Sequence, residues 1–271
     1  VTIIKIKFND CTLSASEKVN APLMVCSHER SGTHFLMNSI NNSSEYTCNP
    51  FLDFDYHNLG NAINFFDSSQ IADFLVKIKS FKEGGKPFYM NSIIKSHFPI
   101  EFVKEAVDQG MKIAYIYRDP YEVILSYWRF VCSLDWFEAP STASPLELAK
   151  HIPEGRSQRY QLKTHANYFE RWAYHVSSAL IMAENNPNIW IIFYEDLLER
   201  HSLTMKQLYS SLSLECFNEI TLPKKSQTSY IKGNDIPVTL HQELELRKFC
   251  SLELEKYPNL ASLLSARKRE K

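Results

Sequence analysis

The chain has 271 residues, 44% hydrophobic and 13% aromatic, with a formal net charge of -1. That length and apolar share suffice for one sizeable core and exclude a disordered chain. The near-zero charge gives no reason to expect a field built for nucleic acid or a membrane surface.

In chain order, Val1 to Phe8 alternates Ile with Lys and reads as an edge strand, not a secretion signal. Ala21 to Ser27 is a short apolar run, read as a buried strand. Phe35, Leu36 and Ile40 then follow helical spacing. Asp67 to Phe81 carries Ile71, Phe74, Leu75 and Ile78 on one helical face. Ser92 to Lys95 reads as a strand, Glu101 to Gln109 as a helix closed by Gly110, and Met111 to Tyr117 as a third strand. A helix is expected over Tyr121 to Phe130, and a long one over His165 to Glu184 that stops at Asn185-Asn186-Pro187. Ile189 to Phe193 is the fourth strand, and Glu195 to Arg200 opens a further helix. The basic end, Arg267 to Lys271, reads as a solvated tail.

Alternating strands and helices predict an α/β fold: a central parallel sheet flanked by helices. No stretch has a linker composition, so a single domain over 1–271 is expected. Six scattered cysteines have no metal-knuckle or redox spacing, which is the pattern of free thiols in a reducing compartment. No run of ~20 apolar residues is present, so a soluble, cytoplasmic protein without a membrane partner is expected.

Between the first strand and its helix lies His28-Glu29-Arg30-Ser31-Gly32-Thr33-His34. Parallel sheets bind ligands beyond the carboxyl ends of their strands, and a helix start offers N–H groups to an anion. Gly32 permits close backbone approach, Ser31 and Thr33 add hydroxyls, and Arg30 adds a charged fork. Arg-Ser-Gly-Thr by itself is equally a capped helix start. The nucleotide-triphosphatase signature is absent, for it needs an earlier glycine and a lysine. A P-loop kinase-like phosphotransferase is the alternative enzyme class, and a nucleotide-binding module without chemistry is a third.

A strand, then Arg30-Ser31-Gly32-Thr33, then aromatic Phe35, resembles the 5′-phosphosulfate loop of sulfotransferases that use 3′-phosphoadenosine 5′-phosphosulfate (PAPS). Cytosolic members carry Pro-Lys-Ser-Gly-Thr-Thr-Trp there. In this chain Glu29 replaces the proline, Arg30 the lysine, His34 the second threonine and Phe35 the tryptophan. Lys95-Ser96-His97-Phe98-Pro99 resembles the family's Lys-Thr-His-Leu-Pro stretch, which carries its catalytic histidine. An imidazole titrates near working pH and suits removal of the acceptor's proton. Tyr117-Arg118-Asp119-Pro120 with Ser126 eight positions after Arg118 resembles the family's 3′-phosphate motif. An arginine at a strand end and a serine two turns on can converge on one phosphate. An ion pair of Arg118 with Asp119 or Glu122 is the plainer alternative. Tyr194-Glu195-Asp196 resembles the strand end that lies near adenine, and Lys232-Gly233 echoes the family's 3′-phosphate clasp.

The resemblance implies sulfuryl transfer to a hydroxyl or N–H of a small acceptor, with PAPS as cosubstrate and no metal. His97, Lys95 and Arg30 would be catalytic. Arg30, Ser31, Gly32, Thr33, His34, Phe35, Arg118, Ser126, Tyr194, Lys232 and Gly233 would bind the nucleotide. Phe51 to His57 and Ser133 to Glu138 mix aromatics with carboxylates and are expected to line the acceptor pocket. That composition suits a polar or cationic small molecule rather than an anionic polymer or nucleic acid. The sequence leaves oligomeric state and acceptor identity open.

Overall fold

The computed structural model describes residues 22–55, 82–83, 86–87, 91–108, 110–134, 138–155, 158–216, 219–223 and 236–269. The expected edge strand at Val1 to Phe8, the helix at Asp67 to Phe81, and Lys232-Gly233 lie outside them.

Strand β1 (Leu23–Cys26) leads through the Arg30–Gly32 loop into helix α1 (Thr33–Ser43) and strand β2 (Thr47–Asp53). Two short strands, β3 (Lys82–Glu83) and β4 (Lys86–Pro87), pair with each other in a separate two-stranded sheet. Strand β5 (Ser92–Ser96) is followed by a single 3-10 turn at Ile100–Val103 and helix α2 (Lys104–Asp108). Next come strand β6 (Lys112–Tyr117) and helices α3 (Pro120–Leu134), α4 (Pro145–Lys150), α5 (Gln158–Gln161) and α6 (Tyr168–Glu184). Strand β7 (Ile189–Phe193) precedes α7 (Tyr194–Glu199), α8 (His201–Ser211), α9 (Leu240–Leu254) and α10 (Pro258–Arg269).

The main sheet runs β2-β5-β1-β6-β7, with every pairing parallel. Its central strands are buried on both faces, as a parallel sheet covered by helices requires. Alternate residues of β1 therefore enter different cores. Leu23 and Val25 join Leu36, Met37 and Ile40 of α1 and Met205 and Leu208 of α8. Met24 and Cys26 join Val123 of α3 and Phe169, Trp172 and Val176 of α6.

From β1 the chain passes over β5 to reach β2, returns to β5, then crosses to β6. The strand order reverses beside β1, and ligands of open parallel sheets bind at such a point. The segments after β1, β5, β6 and β7 all open on this edge, and they hold Arg30, His97, Arg118 and, as the first residue of α7, Tyr194.

Several boundaries differ from the sequence expectation for physical reasons. The long helix begins at Tyr168 because the Asn167 side chain caps it by accepting from Glu170 N–H. The helix expected at Glu101 to Gln109 is divided into the 3-10 turn and α2. Arg267 is not in a tail: it lies in α10 and pairs with Asp196 at 3.2 Å.

Candidate functional site

The phosphate loop curls because Arg30 and Gly32 are left-handed, with φ of 64° and 99°. This is the kind of backbone turn that presents N–H groups to an anion. Gly32 has a second constraint, since a Cβ there would sit 2.2 Å from Tyr194 Cδ2. The Tyr194 ring thus lies against the loop, edge-to-face with Phe35 at 6.2 Å and beneath the Arg118 guanidinium at 4.6 Å.

Arg30 reaches across to α3, where its Nε donates to Ser126 Oγ at 3.1 Å and its guanidinium covers the Phe130 ring at 4.8 Å. Burial, and then the charge of Arg118, lowers the Arg30 pKa. Two cations therefore face one another across this edge. Arg118 Nη2 donates to Glu122 Oε2 at 3.1 Å, and its Nε lies 3.8 Å from Glu195 Oε1. Burial raises the Glu195 carboxyl to about 7. The Ser31 hydroxyl is buried and makes no hydrogen bond among the described residues. A phosphate group would satisfy that hydroxyl and offset the charge of the two arginines, so these residues fit an anionic ligand.

His97 stands at the end of β5, 8% exposed. Its Nδ1 donates to the Ser27 carbonyl at 2.9 Å and lies 3.3 Å from Ser27 Oγ, which in turn contacts Thr33 Oγ1 at 2.6 Å. With the proton on Nδ1, the lone pair is on Nε2. Burial, and then the charge of Lys95, holds the imidazole well below its ordinary pKa, hence neutral at pH 7. Both sides of the histidine backbone are also tied. Its N–H donates to Asp55 Oδ2 at 2.6 Å, and its carbonyl accepts from His175 Nε2 at 3.0 Å.

Lys95 Nζ is 2.8 Å from Asp53 Oδ2, and both side chains are buried. His34 lies in the field of the same pair; burial, then Lys95, pushes its pKa down to about 4. Asp55 accepts from Ser96 Oγ at 3.0 Å, and burial, then Asp53, raises its carboxyl to about 7.

Behind the loop is a charge cluster that the sequence reading missed. Glu29 is buried and accepts from Arg171 Nη1 at 2.6 Å, Arg171 Nη2 at 2.9 Å and Arg159 Nε at 2.7 Å. Arg171 Nη1 also donates to His28 Nε2 at 2.9 Å, and Arg159 pairs with Glu138. Its signal was present in the sequence. An acid inside a buried loop needs cations, and Arg171 shares an otherwise apolar stripe with Tyr168, Trp172 and His175.

The cluster changes the view of the acceptor face. Asp53, Asp55 and Glu138 belong to the two stretches expected to line it, yet their carboxylates are engaged with Lys95, Ser96 with His97, and Arg159. They are not available as counter-charges for a cationic acceptor. Residues 56–57 and 135–137 of the same stretches lie outside the described residues. Among the described residues no group of three or more His, Cys, Asp or Glu is arranged to hold a metal ion, and no helix is long and apolar enough to cross a membrane.

Comparison with known proteins adds the following. The Sulfotransferase domain family matches residues 20–253. The solved structure of mouse sulfotransferase SULT7A1 complexed with PAP is similar at a TM-score of 0.56 and 17% identity, covering 92% of this chain and 89% of that one. Retinol dehydratase in a complex with retinol and PAP is similar at a TM-score of 0.46 and 16% identity, covering 74% and 62%. No curated protein matches the sequence.

Proposed function

Since the chain belongs to the Sulfotransferase domain family, we propose that it moves a sulfuryl group from PAPS to a hydroxyl or N–H of a small acceptor, with the roles that follow. When bound, PAPS supplies the sulfuryl group and leaves as PAP, adenosine 3′,5′-bisphosphate. The mouse relative's structure holds PAP, which supports the same nucleotide here.

Arg30, Ser31, Gly32 and Thr33 hold the 5′-phosphate through backbone N–H groups, two hydroxyls and a guanidinium. Arg118 and Ser126 take the 3′-phosphate, and Lys232 with Gly233 completes that clasp on sequence grounds. Tyr194 and Phe35 form an aromatic wall beside the loop, and His34 lines the approach to Lys95. His97 Nε2 takes the acceptor proton as the acceptor oxygen or nitrogen bonds to sulfur and the sulfur–phosphate oxygen bond breaks. Lys95, working from within its pair with Asp53, offsets negative charge on the sulfuryl and leaving oxygens. Fixed cations and N–H groups supply the positive field, so we read the transfer as metal-free. The chain acts as one domain over 1–271, with two cores on opposite faces of a single sheet. We read its location as cytoplasmic, a reading supported by the free thiols of Cys26, Cys48, Cys132, Cys216 and Cys250.

The observation that carries this reading is the tautomer of His97. Its Nδ1 is fixed on the Ser27 carbonyl at the root of the phosphate loop, so the basic nitrogen and the anion site are set by one strand end. The test is incubation with PAPS and a panel of uncharged and cationic alcohols and amines, read by mass spectrometry. Gain of one SO₃ by an acceptor, matched by release of PAP, is the expected result. Transfer of phosphate from ATP that is lost on chelation of Mg²⁺ would replace this reading with a kinase-like one.

A further inference from the structure

Asp55 and Glu29 belong to different loops and both meet Arg159. Asp55 Oδ2 accepts the His97 N–H at 2.6 Å and Oδ1 accepts the Ser96 hydroxyl at 3.0 Å. Ser96 Oγ in turn accepts the Phe98 N–H at 3.0 Å, so one carboxylate organises three successive residues of the histidine turn. Arg159 Nη1 lies 3.6 Å from Asp55 Oδ2, while Arg159 Nε donates to Glu29 Oε1 at 2.7 Å. The Arg159 side chain is 1% exposed and those of Asp55 and Glu29 are 0% and 7% exposed, so this charge chain is shielded from water. Glu29 immediately precedes Arg30, the residue assigned to the donor phosphate.

We propose that Asp55 is a positioning residue for His97, and that Arg159 locks it to Glu29, so one buried relay sets the base and the donor loop in register. The proposal rests on the sulfotransferase reading given above. Buried ion pairs add little net stability compared with apolar packing, but their geometry is specific. A displacement of about 1 Å at a base can cost up to 10²-fold in rate. Asp55 touches neither nucleotide nor acceptor in this account, so its removal acts on rate through His97.

The experiment compares Asp55→Ala, Asp55→Asn, Glu29→Gln and the Asp55→Asn/Glu29→Gln pair with His97→Ala and the parent. Active sites are counted by PAP titration, and kcat, acceptor KM and PAP affinity are measured. Asp55→Ala should lower kcat by about 10-fold or more, with PAP affinity within a few-fold of the parent. Asp55→Asn keeps one acceptor oxygen and should recover part of that loss, which a general loss of folded protein would not produce. The double variant should depart from the product of the two single effects, because both act through Arg159. Parental kcat in Asp55→Ala overturns the positioning role; should that variant fail to fold, parental kcat in Asp55→Asn does so. Independent, multiplicative effects in the cycle overturn the relay. Parental kcat in His97→Ala would instead remove the base assignment on which the proposal stands, so the two failures are distinguishable.

Discussion

At Gly32 the φ of 99° and the Tyr194 ring act together, since an added Cβ would lie 2.2 Å from Tyr194 Cδ2. Gly32→Ala must strain the backbone and push the ring away, at a cost of about 2 kcal/mol or more. A lower thermal midpoint together with weaker PAP binding in calorimetry is expected; an unchanged midpoint would contradict the packing described. Arg118 faces the edge from the β6 end and is assigned above to the 3′-phosphate, not to the sulfuryl group. Arg118→Ala should weaken PAP binding by roughly 10- to 100-fold, the scale of a lost charge-assisted bond, and change kcat much less. Normal PAP affinity in that variant would remove Arg118 from the donor site. At this scale motif resemblance marks Gly32, His97, Arg118 and Ser126 as candidates, and the structure gives Arg118 the ion pair with Glu122 that was its plainer alternative. The sequence was silent where the partner is distant in the chain: the hydrogen bond from Arg30 to Ser126 spans 96 positions, and that from Arg171 to Glu29 spans 142.

Helix α6 supplies more than a wall for the core. Trp172, Phe169 and Val176 fill the sheet face, while Arg171 and His175 from the same buried stripe reach the loop and the histidine turn. Truncating Arg171 would leave the buried Glu29 with Arg159 as its one arginine partner among the described residues, beside the Tyr160 hydroxyl. Arg171→Ala should therefore cost about 3–5 kcal/mol of folding stability, the usual scale for a broken buried pair, read by urea denaturation. A loss under about 1 kcal/mol would mean that Glu29 is solvated, contrary to this account. The strands β1, β5, β6 and β7 were legible as short apolar runs. Strand β2 was not, because Pro50 and polar Asn49 interrupt it and its interest lay in its acids. Helices α9 and α10 also escaped notice. In α9, Leu240, Leu244 and Leu252 face solvent while Leu246 and Cys250 are buried, so no clean apolar stripe marks it, although Thr239 and Gln242 form a capping box.

For the molecule as a whole, the buried imidazoles set the acid response. His28 is held at about 3 and His34, His165 and His175 at about 4, each chiefly by burial, with His97 and His201 also lowered. A histidine whose folded pKa is depressed contributes fully above its unfolded value near 6.5, and the contribution is lost as pH falls toward the folded value. Asp55 and Glu195, both raised to about 7, and Glu101, also raised, act in the opposite sense, gaining stability as pH falls. The histidines are more numerous, so the thermal midpoint should drop between about pH 6.5 and 5. A rise over that interval would contradict their burial as neutral groups. PAP, bound only by the folded protein, should raise the midpoint more than ATP does, because ATP has no 3′-phosphate for Arg118 and Ser126. Equal shifts by the two nucleotides would count against the 3′ site.

His97→Ala separates removal of the acceptor proton, assigned to His97, from holding of the donor by other residues. Once a sulfated acceptor is in hand, single-turnover release of PAP should be measured for the parent, His97→Ala and His34→Ala, with PAP affinity measured on the same samples. His97→Ala should lose about 10²-fold or more in rate, with PAP affinity within several-fold of the parent. A parental rate in His97→Ala, with transfer abolished and PAP affinity intact in His34→Ala, would contradict it.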